Sequence, residues 1–398
     1  MSAIPRASAL APFQIRSFRF QWPADLTTSF ALEMEIIILA WYVLVETDSV
    51  FLLTVYASLH HLGTLLGPMF GVVGDRVGQR NMLCGMRVFY TLTASTLMIC
   101  AFLEVINPLL VLLVATFSGL VRPSDIGMRS AVISEIMPPD RLLSAAGIQR
   151  TTQDSARIAG ALTGAGLVAA MGMASAYVVI ACLYATSALL TWQAGRARVI
   201  SKDAAARVQR ESPWRELKEG ASYVWRTPHI KGVMILAFFL NSTAFPIFMS
   251  LLPYVVKQVY HDTQTTLGYL VACGSSGALI GSILVSRFNG MINPARLMIT
   301  AAATWLVTLL IFAYMDGPLW GAPALFFAGM AQASALVPMT SILLRHTDAH
   351  YRGRVMGIRM LMIYGNVPGI MLFGPIVTAI GYTATVTAYC LFGLTSLF

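Results

Sequence analysis

The chain has 398 residues, of which 57% are hydrophobic and 11% charged, and its mean hydropathy is +0.70. Soluble domains sit nearer half apolar, and apolar runs of about 20 residues, the length that crosses a bilayer, recur along this whole chain. A soluble protein with a large core is excluded. The net charge of +9 falls in loops rather than in a basic patch interleaved with aromatics, so nucleic acid is not expected as a partner.

Arg6, Arg16 and Arg19 precede the first apolar run without a small-residue cleavage site, so that run is expected to stay as a helix. Spans are expected near 19–45, 50–73, 81–103, 108–134, 142–170 and 174–194, and again near 229–257, 264–287, 295–315, 319–345, 354–379 and 382–398. The polar interval 195–228 divides them into an N-terminal part (1–194) and a C-terminal part (229–398) of six spans each. The expected class is an all-α membrane protein of twelve helices in two pseudo-symmetric six-helix bundles. The sequence stops at Phe398 inside its last apolar run, without a basic tail, so the twelfth helix is expected to be cut short.

Charges inside spans cost on the order of 2.5–3.5 kcal/mol each on insertion scales, so they face a cavity or a partner. The first span carries Glu33 and Glu35 near its middle and Asp25 about two turns toward its start. Two residues apart on a helix, Glu33 and Glu35 point about 200° away from each other; one can face a cavity while the other pairs with a neighbouring helix. In the second span, His60 and His61 diverge by about 100°, and no third ligand stands at metal spacing, so no metal site is expected. Between the second and third spans comes the dense turn Gly71-Val72-Val73-Gly74-Asp75-Arg76-Val77-Gly78-Gln79-Arg80, which belongs at a membrane surface.

The fourth span carries Arg122, Asp125 and Arg129, with Pro123 available to kink it. Arg122 lies near mid-depth and Arg129 nearer the end of the span. Gln149, Arg150, Asp154 and Arg157 open the fifth span, where Asp154 and Arg157 are placed to pair locally, as a gate network of Arg150, Asp154 and Arg157. Further on, Gly160-Ala161-Leu162-Thr163-Gly164-Ala165-Gly166 permits close helix contact. In the interval, Leu217, Ala221 and Val224 recur at helical spacing, so 213–225 reads as a helix lying along the membrane surface. Asn241, Gln332, Arg359 and Asn366 are the inward polar candidates of the C-terminal part.

Lys and Arg concentrate in alternate loops: Arg76 and Arg80, Arg141, Arg196 through Lys218, Arg287 and Arg296, and Arg345 to Arg354. The opposite loops hold Glu46, Asp48, Glu104, Asp262 and Asp316, with Lys257 the only base nearby. That asymmetry places both termini in the cytoplasm. The halves echo each other: Gly67 and Gly71 have the spacing of Gly277 and Gly281, and Arg287, Asn289 and Gly290 stand where a second charged turn would be. Such repeats suit a transporter whose substrate site lies near mid-membrane. The five cysteines show no paired spacing. No phosphate loop, nucleophile–base pair or dinucleotide fingerprint appears, so no enzyme activity, ATP use or cofactor is expected.

The turn 71–80 resembles the loop between the second and third helices of major facilitator transporters, roughly Gly-x-x-x-Asp-Arg-x-Gly-Arg-Arg, matched at Gly71, Asp75, Arg76, Gly78 and Arg80, with Gln79 departing. Three segments are similar to the macrolide-efflux and enterobactin-export branch: Arg16 to Trp22, Pro138-Pro139-Asp140-Arg141-Leu142, and Arg352-Gly353-Arg354-Val355-Met356-Gly357. The resemblance implies that Asp75 and Arg76 form a conformational latch facing the eleventh helix, with Arg80 pairing an acid such as Glu135. It also implies an acid within one position of Glu33, which favours Glu33 over Glu35 as the acid facing the cavity. It further implies a cavity lined by the first and fourth helices, across which Arg122 can answer either acid, and a structural arginine at Arg129. Antiporters of the superfamily carry a Gly-Pro-x-x-Gly-Gly-like run in the fifth helix, and Ala161 takes the place of that proline here, which leaves export less firmly implied than membership.

These readings together point to a secondary transporter working by alternating access. The first expectation is proton-coupled export of a small amphipathic organic compound (drug, siderophore or metabolite) by a monomer in a bacterial inner membrane. The candidates for proton or substrate handling are Glu33, Glu35, Asp25, Arg122 and Asp125. The alternatives are uptake or exchange of an organic anion clamped by Arg122, and lipid or lysolipid flipping.

Overall fold

A computed structural model describes residues 11–194, 213–288, 292–348 and 351–397, and every regular element among them is helical. The first span is α1 (Arg16–Thr47). The sequence reads 50–73 as one helix, but the structure breaks it into α2 (Val50–Leu59), a tight turn over Leu62–Leu66 and α3 (Gly67–Val77). A proline opens α3; with no N–H to give the preceding turn, it restarts the helix instead of continuing it. Gly78, at φ 95°, then separates α3 from α4 (Gln79–Phe102); only glycine adopts that conformation without strain.

α5 (Pro108–Ile136) is capped by Asn107 and runs through Pro123 as one helix. α6 (Pro139–Gln193) is two helices joined end to end at Gly172, whose φ of 79° marks the break; these limbs are the expected fifth and sixth spans. The linker contributes α7 (Pro213–Arg226); its residues 195–212 lie outside the described residues. α8 (Pro228–Phe245) continues through wide turns over Pro246–Ser250 and Val255–Val259, where Pro246 and Pro253 each remove a backbone donor. There follow α9 (Gln264–Arg287), α10 (Pro294–Ala313) and α11 (Pro318–His346). The span expected at 354–379 is also interrupted, as α12 (Arg352–Met362), a short turn over Ile363–Gly365 and α13 (Asn366–Ile380). α14 (Tyr382–Thr395) ends the described chain.

Nine helices among the described residues are long and apolar enough to cross a membrane. The difference from the twelve expected spans lies in three places: segment 50–77 is interrupted, α6 counts once, and α14 is short. Large apolar side chains such as Leu92, Phe117, Trp192 and Phe392 point outward, more than half exposed, as lipid-facing residues do.

The described residues group into two compact units. The first holds those up to Ile38 and from Leu65 to 194; the second holds Leu39–Thr64 and those from 213 onward. In the first, Gly160 and Gly164 of α6 let α1 approach at backbone distance: a Cβ at Gly160 would stand 2.9 Å from the Glu33 Cβ, and one at Gly164 3.0 Å from the Met34 Cα. The N-terminal lead is an anchor. Phe18 is buried with Ile133, Met137 and Ala145, Trp22 donates its indole N–H to Thr152 Oγ1 at 2.9 Å, and Arg141 donates to the Ala11 carbonyl at 3.2 Å.

In the second unit α9 and α11 touch through glycines. A Cβ at Gly277 would lie 1.9 Å from the Phe326 carbonyl oxygen, and one at Gly329 1.9 Å from that of Gly274. Neither neighbour is a flexible side chain, so the helices themselves must separate. Gly329→Ala is therefore expected to lose stability at the upper end of about 1–3 kcal/mol, whereas Gly232→Ala, with nothing within 4 Å, is neutral or slightly stabilising. Thermal midpoints of the two variants in detergent check this; equal midpoints contradict the close packing. Gly281 continues the same contact, where a Cβ would stand 2.4 Å from the Met330 carbonyl oxygen; Asn289 and Gly290, expected in a second turn, lie outside the described residues.

The Arg352–Gly357 segment holds the linker helix. Arg354 pairs with Glu219 at 2.7 Å, and Tyr223 stacks on Tyr351 with ring centroids 4.4 Å apart while donating to Asp348 at 3.1 Å.

At the other end of the second unit, Lys257 binds the Leu44 carbonyl and Asp48, each at 3.0 Å, and Gln258 donates to the same carboxylate at 2.6 Å. The Lys257 ammonium lies at the C-terminal end of α1, where carbonyls lack helical partners and a cation is favoured. Its hydrogen bond and charge hold the Asp48 carboxyl below the usual carboxylate range. A depressed carboxyl contributes stability above its free value and loses it as pH falls through the folded value. The clamp is thus expected to persist through neutral and mildly acidic pH and to release only below the ordinary carboxylate range. Hydrogen exchange at 255–260, corrected for intrinsic rates, should rise there and not at pH 5–7; Asp48→Asn should remove the step.

Candidate functional site

Four charged side chains meet in the core of the first unit. Asp25 of α1 accepts from Arg87 of α4, which also donates to Thr191 at the end of α6. Arg129 of α5 pairs with Asp125 one turn earlier at 2.6 Å, stands 3.9 Å from Asp25, and donates to Ser29 Oγ at 2.6 Å. Gln21 adds a bond to Asp25 at 2.8 Å. All four charges are buried and together they cancel. Isolated, each would be prohibitive in a core; as two acids and two bases they tie α1, α4, α5 and the end of α6 together.

The first-span acids separate as helical geometry requires. Glu35 is buried and accepts from the Tyr184 hydroxyl at 2.8 Å, and its other oxygen is buried without a hydrogen bond. Arg122 is the cation whose field reaches Glu35. Glu33 is half-buried and pairs with Arg157 of α6 at 3.7 Å. This corrects the pairing expected from spacing: Asp154 bonds Arg150, four residues back at 3.1 Å, and Arg157 reaches across to α1. Four residues bring side chains onto one face with room for the long guanidinium, and Gly160 lets α1 come near enough for Arg157 to reach Glu33.

Around the charged turn, the Asp75 side chain and the surroundings of Gly71 lie outside the described residues. Arg76 is exposed in the last turn of α3. Arg80 donates to the carbonyls of Thr191, at 3.0 Å, and Trp192, so a cation satisfies the acceptors at the C-terminal end of α6. Glu135, the acid expected near it, is half-buried in the last turn of α5.

Of the second unit's candidates, Asn241 is buried and bonds back to the Ala237 carbonyl of its own helix at 2.7 Å, and Gln332 is buried on α11. Arg359 is half-buried on α12. Asn366 is buried with its amide nitrogen 3.5 Å from His61 Nε2. No group of three His, Cys, Asp or Glu side chains that could hold a metal occurs among the described residues.

Several participants escaped sequence reasoning, Gln21, Ser29 and Thr191 among the hydrogen-bonding groups and Arg87 and Tyr184 among the ionisable ones. Arg87 is the only charged residue in the stretch 81–103, and the cost of intramembrane charge marks it as surely as it marks Arg122. Tyr184 carries no such signal among the 14 tyrosines of the chain.

A sequence profile of the Major Facilitator Superfamily matches residues 22–371. The chain belongs to this superfamily. The multidrug efflux pump Tap of Mycolicibacterium fortuitum is 26% identical over 175 residues, 44% of this chain and 42% of Tap, so the match spans less than half of that relative. An uncharacterized MFS-type transporter of Sinorhizobium fredii, y4rN, is 24% identical over 324 residues, covering 79% of this chain and 77% of its own. Among solved structures, a mutant of the nucleoside transporter NupG superposes with a TM-score of 0.73 at 15% identity, covering 96% of this chain and 98% of NupG. A D-xylose-proton symporter superposes at 0.71 and 12% identity, with 95% of both chains covered. At these identities the likeness shows the fold: a multi-pass membrane protein with the twelve-helix, two-bundle architecture of secondary transporters.

Proposed function

We propose that this protein is a proton-coupled exporter of small amphipathic organic compounds, working by alternating access in the cell membrane with both termini in the cytoplasm. The observation that carries the reading is Glu35: a carboxyl group buried in a membrane span, with one hydrogen bond from Tyr184 and one oxygen without any. A group so placed marks a proton or ion pathway in membrane proteins. The neighbouring acid, Glu33, is half-exposed and paired with Arg157, a pair that binding of a cationic group or a proton would open. Tap, a multidrug efflux pump by name, supports the export direction and the substrate class, and the distribution of Lys and Arg among the loops supports the orientation.

The buried set Asp25, Arg87, Asp125 and Arg129 is assigned to holding the helices of the N-terminal bundle in register, and Asp75, Arg76 and Arg80 to the latch at the cytoplasmic surface. The division at 194 and 229 is assigned as the boundary of two bundles joined by the linker helix α7. The test is flux in proteoliposomes across a panel of amphipathic compounds, with ethidium as fluorescent reporter. An inside-acid gradient should drive accumulation in vesicles whose cytoplasmic face is outward, and collapse of the gradient should abolish it. Flux that ignores the gradient for every compound would remove the proton from the mechanism.

A further inference from the structure

Tyr184 and Tyr90 are fully buried and take part in none of the ion pairs described above. Tyr184 stands on the second limb of α6 and donates to Glu35 Oε2 at 2.8 Å. Its ring lies against that of Tyr90 of α4, with centroids 5.5 Å apart and planes inclined by 38°. The Tyr90 hydroxyl is buried without a hydrogen bond. The charges acting on it are Asp125, Arg129 and Arg122 from α5 and Glu35 from α1. Tyr184 is faced by Glu35 from α1, Arg122 from α5 and Tyr90 from α4. Glu35, Tyr184 and Tyr90 are therefore joined in that order, by a hydrogen bond and then by a ring contact, and the charges of Asp125 and Arg129 act on Tyr90 at the end of the row.

A phenol both donates and accepts. An ionised Glu35 can only accept, which holds the Tyr184 hydrogen toward it. A protonated Glu35 has an O–H of its own to donate to the Tyr184 oxygen, and the Tyr184 hydrogen is then free to turn away, toward the Tyr90 ring and hydroxyl. The proton stays on Glu35; only the sense of the hydrogen bond reverses.

We propose that Tyr184 is a positioning residue that reads the protonation of Glu35 and passes it, through Tyr90, to the buried ion cluster. That cluster ties together α1, α4, α5 and the end of α6, so a change in its hydrogen bonding bears on all of them. The inference rests on the reading of Glu35 as the group that takes up a proton, and it adds the residues that couple this event to the bundle. It also gives a role to the unsatisfied Tyr90 hydroxyl, since a buried polar group without a partner is costly and one that acquires a partner in a second state is not idle.

The test needs no substrate. Infrared difference spectra of the protein in lipid vesicles are recorded against pH, and the Glu35 carboxyl band is identified as the one lost in Glu35→Gln. Tyr184→Phe removes only the hydroxyl and keeps the ring on Tyr90. A hydrogen bond to a charged group is worth about 1.5–3 kcal/mol, so its half-point should move to higher pH by about tenfold or more in proton concentration. Tyr90→Phe, which leaves the Glu35 hydrogen bond in place, should also move the half-point, by a smaller factor. A Glu35 band that titrates identically in wild type and Tyr90→Phe overturns the coupling, and one unchanged in Tyr184→Phe overturns the positioning role as well; both outcomes leave the carrier reading standing. A Glu35 band that does not titrate in wild type removes the carrier reading and this inference with it.

Discussion

Glu35→Gln is expected to abolish pH-gradient-driven flux, at least tenfold, while sparing counterflow exchange under equal pH. The amide fills the same volume and its oxygen still accepts from Tyr184, so the fold is kept and only the titratable proton is lost. Exchange of substrate for substrate needs no net protonation and should continue. Glu33→Gln should act differently. It weakens a half-exposed pair with Arg157, and screened pairs of that kind are worth little in stability, so pH-driven flux should fall by less than in Glu35→Gln. If the acids instead bind a cationic substrate directly, exchange fails along with driven flux in both variants. If both variants keep full pH-driven transport, the carrier lies elsewhere, and Asp25 and Asp125 are next in line.

The second large effect is on stability. Arg87→Met should destabilise the protein by about 3–5 kcal/mol, the cost of leaving a buried charge without its partner. Arg87 is fully buried and bonds both Asp25 and Thr191. With it gone, Asp25 keeps the Gln21 amide and an Arg129 nitrogen 3.9 Å away, and Arg129 is already engaged with Asp125. The double variant Asp25→Asn, Arg87→Met removes both charges and should recover most of the loss. Thermal midpoints in detergent for the two single variants and the double one decide the point; strictly additive losses would mean that the pair is not coupled.

Much of the architecture was legible because the bilayer imposes a length and a composition on each span. What was illegible was local. Prolines at 68, 246 and 368 sit where the apolar signal continues while the helical hydrogen bonds cannot, so hydropathy read one helix where the chain makes two or a widened turn. The site divides in the same way. Glu33, Glu35, Asp25, Arg122, Asp125 and Arg129 were found because charge in a span is costly wherever it occurs. Which group answers each acid across helices was not, as with Arg87 for Asp25, Tyr184 for Glu35 and Arg157 for Glu33, since pairing across helices depends on how closely backbones approach. Arg157 reaches Glu33 because Gly160 lies against α1, a contact that only the packed bundle reveals. Asp154 looked toward Arg157 three residues on, and the structure gives it Arg150 four residues back. Arg80 illustrates a different limit: the resemblance assigns it an acid, and the structure sets it on the open carbonyls at the end of α6, an acceptor that no sequence motif advertises.

If Glu35 trades a proton for substrate, binding alone must move protons. Purified protein in weakly buffered detergent solution, with no gradient imposed, is mixed with members of the amphipathic panel while a pH indicator records the bulk. Protons should be released on binding, in an amount that saturates with substrate and is greatest near the pH at which Glu35 is half protonated. The release should be absent in Glu35→Gln even though substrate still binds. Saturable binding by the wild-type protein with no proton released at any pH would contradict that exchange.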